Sequence, residues 1–225
     1  MALAAYLTDT ELLLHDFNLQ FYGSPLSLTN LINKARLRIA SESQCIRILI
    51  PKTSAFTVAN QELYQFSTFN TFAQATAGVD KIQGILSIAL NQGTITPVLG
   101  QRAFQEVQAY MRAYNTSYTS YPYYWAQYSF GANGSFYLWP VPSGVYGMDI
   151  DAYCLPLALT SDADTEAIPY PWTEAIPFYA AYWALMYAQR KEDANEMKKE
   201  YDMRIMEARA YSSGPFIPSM YGEDF

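Results

Sequence analysis

The sequence predicts an α+β fold in which a helical core carries an antiparallel β-rich insertion and ends in an extended tail. Apolar residues recur at helical spacing in four segments, a middle region alternates apolar and polar residues, and prolines and glycines follow the last helix. A chain of 225 residues suits one large domain or a core with an inserted subdomain. We therefore expect an N-terminal arm at 1–26, a domain at 27–211 with its β-rich insertion at about 123–156, and a tail at 212–225.

The first predicted helix runs from about Leu28 to Glu42. Its apolar positions recur every three or four residues: Leu28, Leu31, Ile32, Ala35 and Ile39. Ser27 or Thr29 can cap its start. The residues before it are mixed and are broken by Gly23-Ser24-Pro25. We expect that segment, 1–26, to be an arm that packs late or on a neighbouring subunit.

Three segments between this helix and the next have the composition of strands: 46–50, 57–66 and 81–90. In the third segment, the residues of one parity are largely apolar: Ile82, Leu86, Ile88 and Leu90. Successive side chains of a strand point to opposite faces, so this pattern predicts a strand with one apolar face. A turn at 91–93 and Pro97 end it.

The second predicted helix runs from about Gly100 to Tyr114 and is followed by a three-stranded meander. The apolar stripe of the helix is Ala103, Val107, Tyr110, Met111 and Tyr114. The meander strands are predicted at about 123–130, 135–139 and 147–154, with turns at 131–134 and 140–144. In the last strand the apolar face is Met148, Ile150, Ala152 and Cys154, which predicts a half-buried antiparallel strand.

Two helices are predicted near the end of the chain. The third helix starts after Thr173 as its cap, with Glu174 in the first turn and Pro177 at the end of that turn. A polar turn at 190–195 precedes the fourth helix, at about 194–210. The apolar seam of the fourth helix is Ala194, Met197, Tyr201, Ile205 and Ala208. Glu200 and Arg204 are spaced as an i,i+4 ion pair.

The last residues have the composition of a docking tail. Prolines and glycines prevent the helix from continuing after Tyr211, and several apolar residues follow. These anchors are Phe216, Ile217, Met220 and Tyr221. We expect an extended segment that binds a partner rather than its own core.

Composition excludes several function classes. A net charge of −7 argues against a sequence-independent DNA binder, which needs clustered Lys and Arg. Only 16% of the residues are charged, and the 20 tyrosines suit either protein interfaces or a tyrosine-rich core. Cys45 and Cys154 give no disulfide framework, and the start of the chain lacks the basic region of a signal peptide. The longest apolar run is too short for a bilayer, so we expect synthesis in the cytoplasm and no membrane partner.

The sequence predicts no catalytic centre, metal site or cofactor. His15 is the only histidine, and no nucleophile motif accompanies it. Asp149 and Asp151 lie on the same face of a predicted strand, which favours a solvated face over a metal site. The segment 162–166 has three acidic residues but lacks the glycine and final glutamate of a calcium loop, so a plain loop is the better interpretation. We therefore expect a protein that is not an enzyme.

An aromatic cluster stands out between the second helix and the meander. Its members are Tyr118, Tyr121, Tyr123, Tyr124, Trp125 and Tyr128. Three interpretations are open: a sugar-stacking platform, a subunit or tail interface, and a core strand with its turns. The interface is favoured because aromatic residues are enriched at the centres of protein interfaces.

Three segments together resemble the head-to-tail adaptor proteins of tailed bacteriophages. They are the helix LINKARLRIASESQCIR at 31–47, the strand region FYLWPVPSGVYGMDIDAYCLP at 136–156, and the long C-terminal run at 166–210 that begins EAIPYPWTEAIPFYAAYWALMYA. These are signatures of a fold rather than of an active site, and the last is the most specific of the three.

The resemblance implies a structural virion protein of the neck, the head-tail connector. Such proteins assemble as a dodecameric ring beneath the portal protein, extend the DNA ejection channel and attach the tail nozzle or tail tube. Double-stranded DNA would pass without specific binding. The resemblance also implies that the tail of the chain reaches into the portal. The portal-binding positions are then Pro215, Phe216, Ile217, Tyr221 and Phe225, with Met220 as a further anchor. The alternative function is an aromatic-rich carbohydrate-binding or tail-associated binding module.

Overall fold

A computed structural model describes residues 3–15, 25–114 and 118–212, and its helices and sheets confirm the α+β class. The chain divides into two compact units. We call Met1–Arg36 with Pro169–Phe225 the helical unit, and Leu37–Ile168 the β-rich unit. The predicted single domain at 27–211 stays a prediction. Strands outside the predicted insertion at 123–156 pair with strands inside it, and these belong to the β-rich unit.

The described residues form six α-helices and nine strands. The helices are α1 (Leu3–Leu14), α2 (Pro25–Ser43), α3 (Asn70–Gln74), α4 (Phe104–Tyr114), α5 (Ile176–Tyr187) and α6 (Lys191–Ser212). The strands are β1 (Arg47–Ile50), β2 (Leu63–Gln65), β3 (Val79–Leu90), β4 (Gly100–Gln101), β5 (Thr119–Ser120), β6 (Tyr124–Ser129), β7 (Ser135–Trp139), β8 (Val141–Pro142) and β9 (Met148–Pro156). Short 3-10 turns lie at Phe66–Thr68, Gly131–Asn133 and Trp172–Ala175.

Helix α1 occupies part of the segment that the sequence predicted as an arm. Its buried residues are Leu3, Tyr6, Thr10 and Leu14, a helical spacing, and the helix packs against α5. The Thr10 hydroxyl donates to the Tyr6 carbonyl oxygen at 2.7 Å, so its burial leaves no unpaired hydroxyl. Leu12 of the same helix is half-exposed, so apolar residues also lie outside its buried face. For this reason the buried stripe is not evident from the sequence. Residues 16–24 of the predicted arm lie outside the described residues.

Helices α5 and α6 pack against each other as the predicted C-terminal hairpin. The rings of Tyr179 and Tyr201 meet across this contact at 4.8 Å between centroids. The buried residues of α5 are Ile176, Pro177, Ala180, Ala181, Ala184 and Leu185. The predicted seam of α6 is buried at Ala194, Tyr201, Ile205 and Ala208, whereas Met197 is half-buried. The small alanines on both helices allow their backbones to approach closely.

Several details of this hairpin differ from the prediction. Thr173 is not the helix cap: it is buried in the 3-10 turn, and α5 begins later without a side-chain cap. Pro177 therefore lies in the first turn of α5, where its missing N–H has no helical partner to lose. Gln189 adopts a positive φ of 62°, which confines the turn and lets α6 begin at Lys191. Arg204 does not pair with Glu200; its guanidinium lies 3.7 Å from Glu174 and 3.5 Å from Glu207.

Strand β9 is the central strand of one of the two main sheets in the β-rich unit. The three-stranded sheet has the order β1-β9-β3, and the second sheet has the order β2-β7-β6-β4. Burial of Met148, Ile150, Ala152 and Cys154 confirms the predicted apolar face of β9. Not every pairing is antiparallel: β4 joins β6 and β5 joins β8 in short parallel pairs.

Strand β3 breaks the strict alternation that the sequence predicted. Its register against β9 shifts between Ile82 and Gly84 and again between Ile85 and Ser87. An extra residue at a bulge moves the following side chains to the other face. Ile82, Ile88 and Leu90 of the predicted face are buried, but Ile85 is buried in place of Leu86, which is only partly buried.

The predicted strand at 57–66 is mostly a pinned loop. Only Leu63–Gln65 is a strand. The Thr57 hydroxyl donates to the Gly144 carbonyl at 2.9 Å and accepts from the Tyr146 N–H at 2.8 Å, which holds this loop to the turn before β9. The predicted second helix is also shorter, because Gly100 pairs as β4 and α4 begins at Phe104.

Candidate functional site

The segment from Tyr118 to Leu159 carries almost no charge. Its only charged residues are Asp149 and Asp151, both on β9. These are half-buried and engaged rather than solvated as the sequence predicted. Asp149 accepts the Lys52 backbone N–H at 2.6 Å, and Asp151 forms an ion pair with Arg47 of β1. The rest of the segment therefore presents neutral and aromatic groups, which suits protein contacts better than ionic binding.

A cleft of about 330 Å³ opens in this neutral segment. We call it the aromatic cleft, and its lining residues are Tyr110, Tyr118, Tyr123, Tyr124, Trp139 and Pro140. Tyr118 is 47% exposed and Tyr123 is 55% exposed, so both rings have free surface. Trp139 is 5% exposed, and its ring centroid lies 6.0 Å from that of Tyr118. The cleft thus combines a rigid floor with two accessible rings at its rim.

The elements under the cleft fix its rings. Val107 of α4, Ala126 of β6, and Trp139 and Val141 of β7 and β8 form a buried apolar cluster. Tyr110 and Tyr124 pack against that cluster. The cleft is therefore built on a helix and strands rather than on a loose loop, and rigid elements hold binding groups more accurately than loops do.

Polar contacts orient two of the cleft tyrosines. The Arg102 guanidinium lies 4.9 Å from the Tyr124 ring centroid, a cation–π distance, and 3.6 Å from the Glu106 carboxylate. The Tyr110 hydroxyl donates to the same carboxylate at 3.2 Å. This hydrogen bond raises the pKa of Tyr110, so the phenol stays neutral and a hydrogen-bond donor. The charged groups beside the cleft are therefore Arg102 and Glu106, which pair with each other at one side of it.

The predicted aromatic cluster separates into four environments. Tyr118, Tyr123 and Tyr124 line the cleft. Trp125 is 1% exposed and belongs to the core of the β-rich unit. The Tyr121 hydroxyl donates to the Leu90 carbonyl at 2.7 Å, and burial raises the pKa of this tyrosine. Tyr128 is exposed and packs its ring 4.6 Å from that of Phe104, away from the cleft lining.

The cleft also contains residues that the sequence did not single out. Tyr110 was predicted only as part of a helix stripe, and Trp139 and Pro140 only as the end of a strand and the start of a turn. Their convergence depends on β7 pairing with β6 and on α4 packing beside both. Aromatic identity was the available signal, but no local pattern links α4 to the end of β7.

A second cavity, of about 350 Å³, lies within the helical unit. It is lined by Asp9, Leu12, Leu13, Thr173, Glu174, Pro177, Phe178 and Arg204. The Arg204 guanidinium lies 5.8 Å from the Phe178 ring centroid, and its buried Nε makes no hydrogen bond within the described part of the chain. We call this the helical groove.

The other chemical candidates resolve into structural roles. His15 follows the last residue of α1 and has a φ of 54°. Asp164 accepts the backbone N–H groups of Thr160 at 2.6 Å and Ser161 at 2.8 Å, which lowers the pKa of its carboxyl to about 2. It therefore organises a turn. Within residues 3–15, 25–114 and 118–212, no group of three His, Cys, Asp or Glu side chains is placed to hold a metal ion.

The two cysteines are free thiols. Burial raises the pKa of Cys154 to about 12, which keeps that thiol protonated and unreactive. Among the described helices, none has both the length and the apolar character required to cross a membrane. The predicted portal-binding residues lie at 215–225, outside the described residues.

Comparison with known families gives the chain its place. A search of curated proteins finds no match to this sequence. The family model described as SU10 adaptor protein matches residues 1–217, nearly the whole chain, and includes α1 as well as both units. The match confirms the resemblance to phage head-to-tail adaptors. This chain belongs to the SU10 adaptor protein family, and it is a structural adaptor of a bacteriophage virion.

Proposed function

We propose that this protein forms a ring beneath the portal, extends the DNA channel and provides the attachment site for the tail. The match to the adaptor family over residues 1–217 is the observation that carries the proposal. By that family role the ring is a dodecamer in the neck of the virion, made from subunits synthesised in the host cytoplasm. Its partners are the portal protein, further copies of itself, and the tail nozzle or tail tube.

A closed ring needs a heterologous interface, in which two different surfaces of one chain meet on neighbouring copies. The chain offers surfaces of contrasting chemistry. The aromatic cleft is neutral, whereas α6 carries charge on eleven of its 22 residues. Neutral aromatic surfaces supply contact area at a small cost in side-chain entropy. This contrast supports assembly through unlike faces.

The acidic balance supports a channel wall rather than a DNA-binding site. A net charge of −7 offers few phosphate partners and repels the polyanion. We expect no measurable affinity for duplex DNA at near-physiological salt in a fluorescence anisotropy titration. Micromolar binding would overturn the channel-wall assignment.

The segment 212–225 is proposed to carry portal binding through its anchors. These are Pro215, Phe216, Ile217, Met220, Tyr221 and Phe225. A few aromatic residues that fill pockets on a partner usually carry most of the binding energy. Glu223 and Asp224 add charge complementarity if the portal pocket is basic.

The test combines the purified chain with its portal and measures mass by light scattering. We expect the isolated chain to be largely monomeric and the mixture to contain a ring on the portal. Deletion of 213–225, which lies beyond α6, should abolish portal binding without a large drop in the melting temperature. A stable ring without portal, or portal binding after the deletion, would contradict the assignment.

The alternative of a carbohydrate-binding module is favoured by the exposed rings of Tyr118 and Tyr123. Sugar sites, however, pair aromatic stacking with side chains that bind several hydroxyl groups. The lining of the cleft is entirely tyrosine, tryptophan and proline. This composition favours a protein partner. Binding on a glycan array that Tyr123→Ala abolishes would reverse the preference.

A further inference from the structure

We infer that the aromatic cleft binds the segment Pro215–Pro218 of this same sequence. The described chain ends at Ser212, and the next residues read Ser-Gly-Pro-Phe-Ile-Pro. The segment thus begins a few residues after α6. The inference does not depend on ring formation or on the portal, and its test uses the chain alone.

The chemistry of the cleft fits an extended, proline-containing peptide. Grooves lined by tyrosine and tryptophan bind Pro-x-x-Pro segments by stacking proline rings between aromatic side chains. The cleft has Tyr118 and Tyr123 as accessible walls and Trp139 as a floor. Its volume of about 330 Å³ is near the lower limit for ligand sites, which suits a few side chains rather than a folded element.

The chemistry of the segment matches this groove. Pro215-Phe216-Ile217-Pro218 places two prolines three residues apart. In a polyproline II conformation, residues with that spacing lie on one side of the chain, roughly 9 Å apart. Proline also restricts its own φ and the backbone before it, so little conformational entropy is lost when the segment binds. Phe216 and Ile217 then provide apolar contacts beside the prolines.

The charge near the cleft does not oppose this match. Glu223 and Asp224 follow the segment by a few residues. Arg102 lies at one side of the cleft, over the Tyr124 ring, where it pairs with Glu106 at 3.6 Å. Between Tyr118 and Leu159 the only carboxylates are Asp149 and Asp151, and both are engaged by other groups. Acidic residues near the cleft therefore meet Arg102 together with its partner Glu106, a pair with no net charge.

The helical groove is the rival site for the same segment. It has an arginine, but it presents a single aromatic ring, Phe178. Two acidic side chains, Asp9 and Glu174, also line it. They disfavour a segment followed by Glu223 and Asp224. The aromatic cleft is the better match in both ring content and charge.

The test places the photocrosslinker p-benzoylphenylalanine at position 216 of the full chain, without portal. After irradiation, mass spectrometry locates the crosslinked peptides. We expect crosslinks on residues 118–124 and 139–140. Mixing of isotopically light and heavy chains shows whether the segment comes from the same copy or from a second copy. Added portal should lower the yield if it competes for the same anchors.

Matched variants make the result specific. Tyr123→Ser, at the rim of the cleft, should lower the crosslink yield severalfold. Phe130→Ser is the control, because Phe130 is 68% exposed in the same unit but does not line the cleft. Pro215→Ala with Pro218→Ala should also lower the yield, whereas Ser219→Ala should not. Tyr118→Ser provides a second rim variant, and circular dichroism confirms the fold of each.

Three outcomes would overturn the inference. Crosslinks on Leu12 or Phe178 would assign the segment to the helical groove. Crosslinks spread over the surface without a preferred site would show that neither cavity binds it. A cleft crosslink whose yield is the same in both rim variants and the wild type would show proximity without binding.

Discussion

The helical unit and the β-rich unit are stabilised in different ways. In the helical unit, many side-chain pairs lie within one turn of a helix, such as Lys198 with Asp202 at 2.6 Å. In the β-rich unit, the ladder joins distant positions, as where Arg47 faces Tyr153. Contacts of the first kind depend on local spacing, whereas those of the second depend on the whole topology. Sequence patterns should therefore describe the first unit better than the second.

The two units also use their aromatic residues differently. In α5 the rings of Tyr179, Tyr182, Trp183 and Tyr187 follow one another along one helix, each within 6.4 Å of a neighbour. In the β-rich unit the rings converge from α4, β6 and β7 to form a cleft. A high tyrosine content alone therefore does not identify a binding surface. The convergence of rings from separate elements does.

The largest effect is expected from Trp125→Ala in the β-rich unit. Trp125 is 1% exposed, so its truncation leaves a large cavity and should lower the free energy of unfolding by roughly 3–5 kcal/mol. Denaturant unfolding measures the loss, and hydrogen exchange locates it. Faster exchange confined to the β-rich unit would sharpen the contrast between units. Phe130→Ala is the exposed aromatic control and should cost little. An equal loss of unfolding free energy in Trp125→Ala and Phe130→Ala would contradict the placement of Trp125 in the core.

Leu185→Ala tests the helical unit in the same way. Leu185 of α5 is buried, and its truncation should cost roughly 2–5 kcal/mol. Tyr187, two residues further on, is 63% exposed and serves as the control on the same helix. Tyr182→Ala should also destabilise, by less than Leu185→Ala, because Tyr182 is only partly buried. A thermal melt unchanged by both Tyr182→Ala and Leu185→Ala would contradict the packing of α5 in the core.

Gly84→Ala tests the long-range pairing of the β-rich unit. A methyl group at this position of β3 would overlap the ring of Tyr153 on β9. Because Tyr153 is itself buried, we expect a cost of roughly 1–3 kcal/mol from overpacking. The cost should shrink in a Tyr153→Leu background, which a double-mutant cycle measures. Additive effects would mean that the ring does not rest on Gly84.

Helices and the central strand were accessible from the sequence. The stripe of α2, from Leu28 to Ile39, is buried as predicted because it depends only on helical spacing. The apolar face of β9 is likewise buried. In α6 the apolar seam was predicted correctly. Arg204, however, pairs with Glu174 of another element and not with Glu200. Tertiary contact overrode the local spacing.

The remaining features depend on contacts that no local pattern contains. Because of the bulges of β3, Ile85 is buried in the core in place of Leu86. Only the register of β3 against β9 reveals these bulges. Thr57 holds a loop through the turn at Gly144, although its surroundings have the composition of a strand. The aromatic cleft forms only because Tyr110 of α4 and Trp139 of β7, which are far apart in the sequence, line the same cavity. The separation of Trp125 from its exposed tyrosine neighbours likewise follows from pairing, not composition.

The smallest effect is expected at the turn that Asp164 organises, where local order rather than global stability should change. Its carboxylate accepts the Thr160 N–H at 2.6 Å, the Ser161 N–H at 2.8 Å and the Thr160 hydroxyl at 3.0 Å. These hydrogen bonds favour the charged form and lower the pKa of the group to about 2. The folded pKa lies below the unfolded value of about 3.9, so the contribution to order is complete above about pH 4. It is lost as the pH falls through about 2.

The measurement is an NMR titration of the Asp164 carboxyl together with amide exchange at Thr160 and Ser161. We expect the carboxyl to titrate well below its ordinary range, and both amides to lose protection over the same interval. Asp164→Asn should weaken that protection at neutral pH and remove its dependence on pH. An Asp164 carboxyl that titrates near pH 4, with unchanged amides, would show that the turn is held by its backbone alone. The Asp164 side chain would then contribute nothing to the order of this turn.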